Sequence, residues 1–307
     1  MDVKRTYWSA ETTFATTLTS ALKALGETID LQTKPNFNPE EDEFLDRAFS
    51  SVAYQHYEVG FILTAKVWTV DGTVFVPEDF WALYALGETT GRATDGRLDS
   101  FSLVSKKTNA TLTEFVLFNG CMVDGLTIQA AGVGKALLYT LEGRCQYVSK
   151  AATKAFTGLQ TITVGADPTL PTTAYARWNG TAPQINYGGG LANIAGVIDW
   201  KLTIKNNLGP EWGKRTGADA LVYPVAEAFD EGDFDCTVDI TRWHRDATHW
   251  TQKLARTTGI VLTLPINGKT WTLTGGYFKD PTAPDHKSGK DPLKEMLSLK
   301  FNGLTIA

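Results

Sequence analysis

Apolar and polar residues alternate along much of this chain with the two-residue period of β-strands. The clearest run is 198–206, where Ile198, Trp200, Leu202 and Ile204 share one face. Similar runs predict strands at 28–34, 59–70, 100–105, 112–119, 122–130 and 136–147, then at 234–243, 260–265, 269–278 and 295–306. Helical spacing is rarer. Phe14, Leu18, Leu22 and Leu25, between Ser9 and Gly26, predict a helix over 9–25. Pro77-Glu78-Asp79 opens a second helix that ends at Gly87. A third starts from Asp246 as its N-cap, carries Ala247, Trp250 and Leu254, and ends at Gly259. Asn119-Gly120 and Asn267-Gly268 predict hairpin turns. Two long polar stretches, 35–57 and 207–230, read as loops, and loops of that length commonly carry function.

The same order of elements occurs twice. Each half reads strand, long loop, strand, helix, strand, hairpin, strand. Leu31, Lys34, Asn36, Pro39 and Glu40 recur as Leu202, Lys205, Asn207, Pro210 and Glu211 at a constant spacing of 171. Residues 60–67 align with 232–239 at 172, Gly87 with Gly259, and 137–143 with 297–303 at 160. A repeat of this size is a domain rather than a solenoid unit. The expected organisation is a first domain over 1–150, a connector over 151–175 and a second domain over 176–307. The fold class is mainly β (α+β): two tandem β-sandwich or barrel domains, each with one short helix and one long loop. Residues 280–292, with three prolines, replace the 122–130 strand in the second copy.

Composition narrows the function classes. The 307 residues carry a net charge of −5, which argues against a surface built to grip nucleic acid. The charge is uneven: residues 1–150 have 13 Lys+Arg and 19 Asp+Glu, the remainder 16 and 15. Cys121, Cys145 and Cys236 make no disulfide framework and read as buried thiols of a reducing compartment. The N-terminus lacks the apolar run of a signal peptide, and no stretch is apolar for long enough to span a membrane as a helix.

No constellation supports catalysis. His244-Arg245-Asp246 lacks the other parts of a kinase site. His244 and His249 are five residues apart, off one helical face, which disfavours zinc. Gly188-Gly189-Gly190 does not open a helix after a strand and reads as a bend. The acidic run Glu40–Glu43 reads as a solvated loop face rather than a cation site. Trp200, Trp250 and Trp271 sit among alternating apolar residues and read as core. The nine tryptophans nevertheless motivate one alternative from another class, a duplicated β-sandwich that binds carbohydrate. No metal or cofactor is implied.

Ser100-Phe101, followed by Gly120-Cys121-Met122-Val123, resembles the paired strand motifs of the tail tube proteins of long-tailed phages. Residues 198–208 resemble the strand that enters the long loop of that family, and the resemblance covers about 50–307. It implies a non-enzymatic virion protein with a duplicated tail tube fold. Three chains would form a ring of six similar domains, and rings would stack into the conduit for viral DNA, which passes without specific binding. The implied partners are further copies of the chain and the tail tip or baseplate, tape-measure and tail terminator proteins. The implied location is the virion tail, assembled in the host cytoplasm. The matching loops are then expected to make contacts between subunits or rings through Pro39, Glu40, Glu41, Asp42 and Glu43, and through Asn207, Pro210, Glu211 and Trp212.

Overall fold

The computed structural model describes residues 3–11, 23–24, 27–33, 59–66, 84–88, 90–108, 113–151, 155–156, 162–163, 177–213, 225–266, 268–279 and 293–307. The protein is mainly β. The first half contributes β1 (Val3–Ala10), β2 (Glu27–Thr33), β3 (Val59–Lys66), β4 (Phe101–Thr108), β5 (Thr113–Ala130), β6 (Leu137–Cys145) and β7 (Tyr147–Ala151). The second contributes β8 (Gln184–Asn186), β9 (Val197–Lys205), β10 (Gly209–Gly213), β11 (Val225–Asp230) and β12 (Asp235–Trp243). Then come the helix α1 (Thr248–Leu254), β13 (Thr258–Ile266), β14 (Lys269–Phe278), β15 (Lys294–Phe301) and β16 (Gly303–Ile306).

The strands pair antiparallel in two leaves. One leaf runs β2–β3–β6–β5–β9–β12–β15 and crosses from the first half into the second between β5 and β9. The other leaf is built from β1–β4–β5–β7 and from β8–β13–β14–β16. Burial alternates along β6, β9, β12 and β15, as expected when only one face of a leaf is covered. The covered face supplies Tyr139, Leu141, Ile128, Leu202, Val238 and Leu299 to a single core. Leu103, Leu262, Leu264 and Trp271 of the other leaf join the same core, so the molecule is a sandwich.

The pairing graph is the same in both halves. Trp8, Leu103, Phe118 and Val148 stand in one row across β1, β4, β5 and β7. Ile185, Leu262, Leu273 and Leu304 stand in the matching row across β8, β13, β14 and β16. In the other leaf, Leu31 pairs Leu63, which pairs Leu141; Leu202 pairs Val238, which pairs Leu299. The equivalent spacings are therefore 171, 175 and 158 rather than 171, 172 and 160. The second arm is four residues longer than the first, where the sequence alignment made the difference one residue, because loop length leaves strand pairing unaffected.

Other sequence expectations need correction. Ser9 and Ala10 lie in β1 and Lys23–Ala24 pairs with it, so both ends of the expected 9–25 helix are strand; the middle lies outside the described residues. Asn119-Gly120 is no hairpin turn. It is a corner inside one 18-residue strand, β5. Residues 113–121 pair with β4 and residues 122–130 with β6. Gly120 adopts φ +63, which a residue with a Cβ resists. The Glu11 carboxylate holds the corner, accepting from the Gly120 amide at 2.9 Å, from Asn119 Nδ2 at 3.1 Å and from Ser102 Oγ. The start of the expected connector is strand: β7 reaches Ala151, and Ala155–Phe156 pairs with Ile162–Thr163. The 207–230 stretch is built at its base as a hairpin, β10 with β11. Helix α1 ends at Leu254 with Arg256 at φ +52, so Gly259 is a bulged residue of β13 and not the stop. Asp246 sits one residue before the cap position, although its carboxylate still accepts the Thr248 amide at 2.9 Å. Trp250 is only half-buried.

Residues 84–86 are helical and Gly87 follows at φ +89, as expected from the sequence. Strands β13 and β14 pair as that hairpin requires, closed by the pair Ile266–Lys269; Asn267 lies outside the described residues. Residues 280–292 lie outside the described residues.

Candidate assembly surfaces

The second arm begins where β9 leaves the sheet. Asn206 is buried, and its side-chain amide donates to Ala85 O at 3.0 Å and Val123 O at 2.9 Å, both in the first half. Its backbone amide donates to Asp124 O at 2.7 Å, and the Asp124 carboxylate accepts the Leu208 amide at 2.8 Å. Asn207 takes φ +49, a conformation asparagine tolerates, and its side chain donates to Asp233 O. Gly232 faces it so closely that a Cβ would lie 2.4 Å from Asn207 O. Leu208 and Phe229, at the base of the hairpin, pack with Met122 and Leu98 in a small apolar cluster apart from the main core. Glu231 accepts the Leu98 amide at 2.9 Å, and Arg92 lies over the Phe234 ring at 4.4 Å. The arm of the second half is thus rooted in the first half.

Four of the expected contact residues lie at this root. Asn207 takes a positive φ at the root, and Pro210, Glu211 and Trp212 pair with Phe229, Ala228 and Ala226 in the hairpin. Pro39, Glu40, Glu41, Asp42 and Glu43 lie outside the described residues. The sequence reading missed Asn206, Asp124 and Gly232. Asn206 aligns with Pro35 in the repeat, so a comparison of the two copies could not mark it.

Among the described residues, strand pairing between the halves includes two seams. Residues 125–130 of β5 pair with 200–205 of β9, from Gly125–Lys205 to Ala130–Trp200. Trp200 is fully buried there and meets Trp178 edge to face at 6.5 Å. At the other end of the fold, Thr305 of β16 pairs with Gly91, and Ile306 N–H donates to Thr90 O at 2.7 Å. By the repeat, β9 corresponds to β2. β9 is paired on both edges, to β12 and β5, whereas among the described residues β2 is paired only to β3.

A polar knot fixes α1 on the second half. Arg242 and Glu295 are buried and face each other across β12 and β15, with Nε 3.1 Å from the carboxylate. His244 Nδ1 reaches the same carboxylate at 3.3 Å, and Asp246 meets Arg242 from the loop. His249, on α1, is buried with Nδ1 2.6 Å from the Tyr187 hydroxyl. Burial, then the nearby Arg242 cation, pushes the His249 pKa down to about 4. Burial raises the Tyr187 hydroxyl well above its ordinary value. Arg242 Nη1 and Glu295 Oε1 are buried without a hydrogen-bond partner. Among the described residues no cluster of three His, Cys, Asp or Glu could hold a metal ion. All three cysteines are buried, and burial raises Cys121 and Cys236.

The rooted second arm and the singly paired β2 among the described residues suit a building block, and comparison with known families agrees. The family model for the phage tail tube protein matches residues 62–303. The chain belongs to that family. No curated protein sequence matches it. Membership makes this a structural component of a virion tail that self-assembles into a tube with other tail proteins. Trp178, Trp200 and Trp271 are buried in the core, which removes three of the ring faces that a sugar-stacking platform would need. Among the described residues, no helix is long and apolar enough to cross a membrane.

Proposed function

We propose that this protein is the major tail tube subunit, and that three chains close into one ring of six similar domains. The observation that carries the reading is the identical strand pairing of the two halves together with the seam between them. In a symmetric hexamer, each subunit offers an edge to the next. Here the first such junction lies within one chain, where β5 covers the outer edge of β9. The equivalent edge of β2, unpaired among the described residues, would be covered by the chain that follows. An open edge of this kind pairs with another strand unless it is blocked, and three repetitions close the ring. Stacked rings form the conduit for viral DNA, with the arms at 35–57 and 207–230 making contacts between subunits or rings. Pro39 to Glu43 serve in one arm, and Asn207, Pro210, Glu211 and Trp212 in the other. Tail tip, tape-measure and terminator proteins join the ends, and assembly takes place in the host cytoplasm. Native mass spectrometry of isolated rings, or a reconstruction of tubes without imposed symmetry, tests the reading. Three chains per ring with pseudo-sixfold density is the expected result. Six chains per ring, or protein that stays monomeric at high concentration, overturns it.

A further inference from the structure

Cys121 and Cys145 are fully buried in the first half, one at the corner of β5 and the other at the end of β6. Met122 stands opposite Arg144 and Asn119 opposite Tyr147, and the register between these pairs sets Cys121 opposite Cys145. The two thiols are within hydrogen-bond reach of each other, and the Cys121 thiol donates to Phe118 O at 3.4 Å. Opposed residues of antiparallel strands have Cα atoms roughly 4.5–5.5 Å apart and side chains on one face. A disulfide spans Cα atoms about 4.4–6.8 Å apart, so this pair can close without moving the strands. The second half shows that packing does not demand two cysteines here. Tyr277 opposite Lys300 and Thr274 opposite Gly303 bracket Gly276 and Phe301 in the same way. Gly275 takes φ +66 as Gly120 takes φ +63, and the Asn302 amide donates to Thr274 O as the Gln146 amide donates to Asn119 O. Gly276 thus corresponds to Cys121 and Phe301 to Cys145. A Cβ on Gly276 would collide with the Phe301 ring. One half fills the site with a ring against a glycine, the other with two thiols side by side.

We propose that Cys121 and Cys145 are an oxidation site, a dithiol that closes to a disulfide when the folded chain meets a low-molecular-weight disulfide, and that the bond staples the corner of β5 to β6. One cysteine gives up its thiol proton and its sulfur attacks the oxidant's S–S bond, which forms a mixed disulfide and releases one small thiol. The sulfur of the other cysteine then attacks the protein sulfur of that mixed disulfide, and its proton passes to the second small thiol released. The pair loses two electrons and two protons, and the oxidant's S–S bond gains them. Burial, then the neighbouring Cys145, raises the Cys121 thiol, so attack waits on local opening at the end of the sheet and the staple forms slowly. The thiols persist in a reducing cell interior, and the oxidant belongs to the surroundings outside it. Cys236 stands opposite Ile204 and Phe301, with no thiol to pair with, and stays reduced. None of this depends on how many chains form a ring.

The test uses the folded full chain, held for days with excess hydroxyethyl disulfide, then alkylated with iodoacetamide in denaturant, digested and weighed. Cys121 and Cys145 are expected in one pair of linked peptides, with Cys236 alkylated. Alkylation of all three cysteines overturns the proposal, and so do mixed disulfides that persist at Cys121 or Cys145. The midpoint of urea unfolding should rise on oxidation and return on reduction with dithiothreitol, because the bond restricts the unfolded chain between the two cysteines. An unchanged or lowered midpoint overturns the staple. Cys121→Gly together with Cys145→Phe copies the pair of the second half; it is expected to fold and to lose the shift, whereas Cys236→Ser keeps it. A shift that survives in the first variant, or vanishes in the second, overturns the assignment. Should the double variant not fold, Cys121→Ala replaces it with the same expectation.

Discussion

β2 and β9 are the same strand in two settings. Both start a half, both precede a long arm, and both pair on one side with the strand that follows the arm. β9 has its other edge covered by the end of β5, and its arm is rooted through Asn206 into Ala85 and Val123 of the first half. Among the described residues, β2 has neither. The difference teaches that the second half is completed by the first. If the repeat is carried through, the first half is completed by another chain. On the proposed ring, one junction lies within the chain and the other is left to assembly.

The sharpest way to break this comparison is to remove one arm at a time. Deleting Asn38–Asp46 should leave a folded, soluble chain that forms no tubes, because that arm waits for a neighbour. Replacing 214–224 with a two-residue Asn-Gly turn keeps the rooted hairpin base, and should also abolish tubes while barely moving the melting temperature. Circular dichroism and negative-stain microscopy read the two effects separately. Normal tubes from either variant would remove that arm from the contacts.

A smaller effect, confined to the internal junction, should follow from Trp200→Ala. Trp200 is fully buried at the Ala130 end of the seam, against Trp178. Truncating a buried tryptophan costs about 3–5 kcal/mol from lost transfer energy and the cavity left behind. Equilibrium urea unfolding of the monomer should show that loss, with both halves destabilised together because one core runs through them. A biphasic transition in which only the second half weakens would mean that the halves fold independently.

Much of this architecture was legible in the sequence. Alternation marked β9, β12 and β14 because each has one face on the core, and Asn267-Gly268 marked the pairing of β13 with β14. The same dipeptide at Asn119-Gly120 misled. There Glu11, more than a hundred residues away, supplies the hydrogen bonds that hold a corner, and β5 continues into the other leaf. Helical spacing over 9–25 misled at its ends for the same reason: β4 offers Ser9 and Ala10 a strand partner, and pairing outweighs local propensity. The repeat exposed residues that both copies keep, such as Asn207 and Pro210. It could not expose Asn206 or Asp124, whose task is to join one copy to the other.

The smallest expected effect concerns the polar knot of the second half. In register, Glu295 corresponds to Leu137, so the first half places an apolar residue where the second buries a carboxylate facing Arg242. A buried ion pair of this kind contributes little net stability over an apolar pair, but breaking it is costly. His249 lies behind it, 5% exposed, with its pKa lowered to about 4 by burial and by Arg242. In the unfolded chain a histidine titrates near about 6.5. Between these values the unfolded chain binds the proton and the folded chain does not, so stability is complete above the unfolded value and falls as the pH drops through the window. The loss by about pH 4 should be roughly 2–3 kcal/mol from this residue. His249→Gln, which keeps a hydrogen-bonding group beside the Tyr187 hydroxyl, should flatten that slope between about pH 6.5 and 4 while lowering stability at neutral pH only modestly. Urea unfolding of both proteins across this range reads the slope directly. An unchanged slope in the variant would move the acid sensitivity from His249 to the carboxylates and leave the two halves alike in their response to pH.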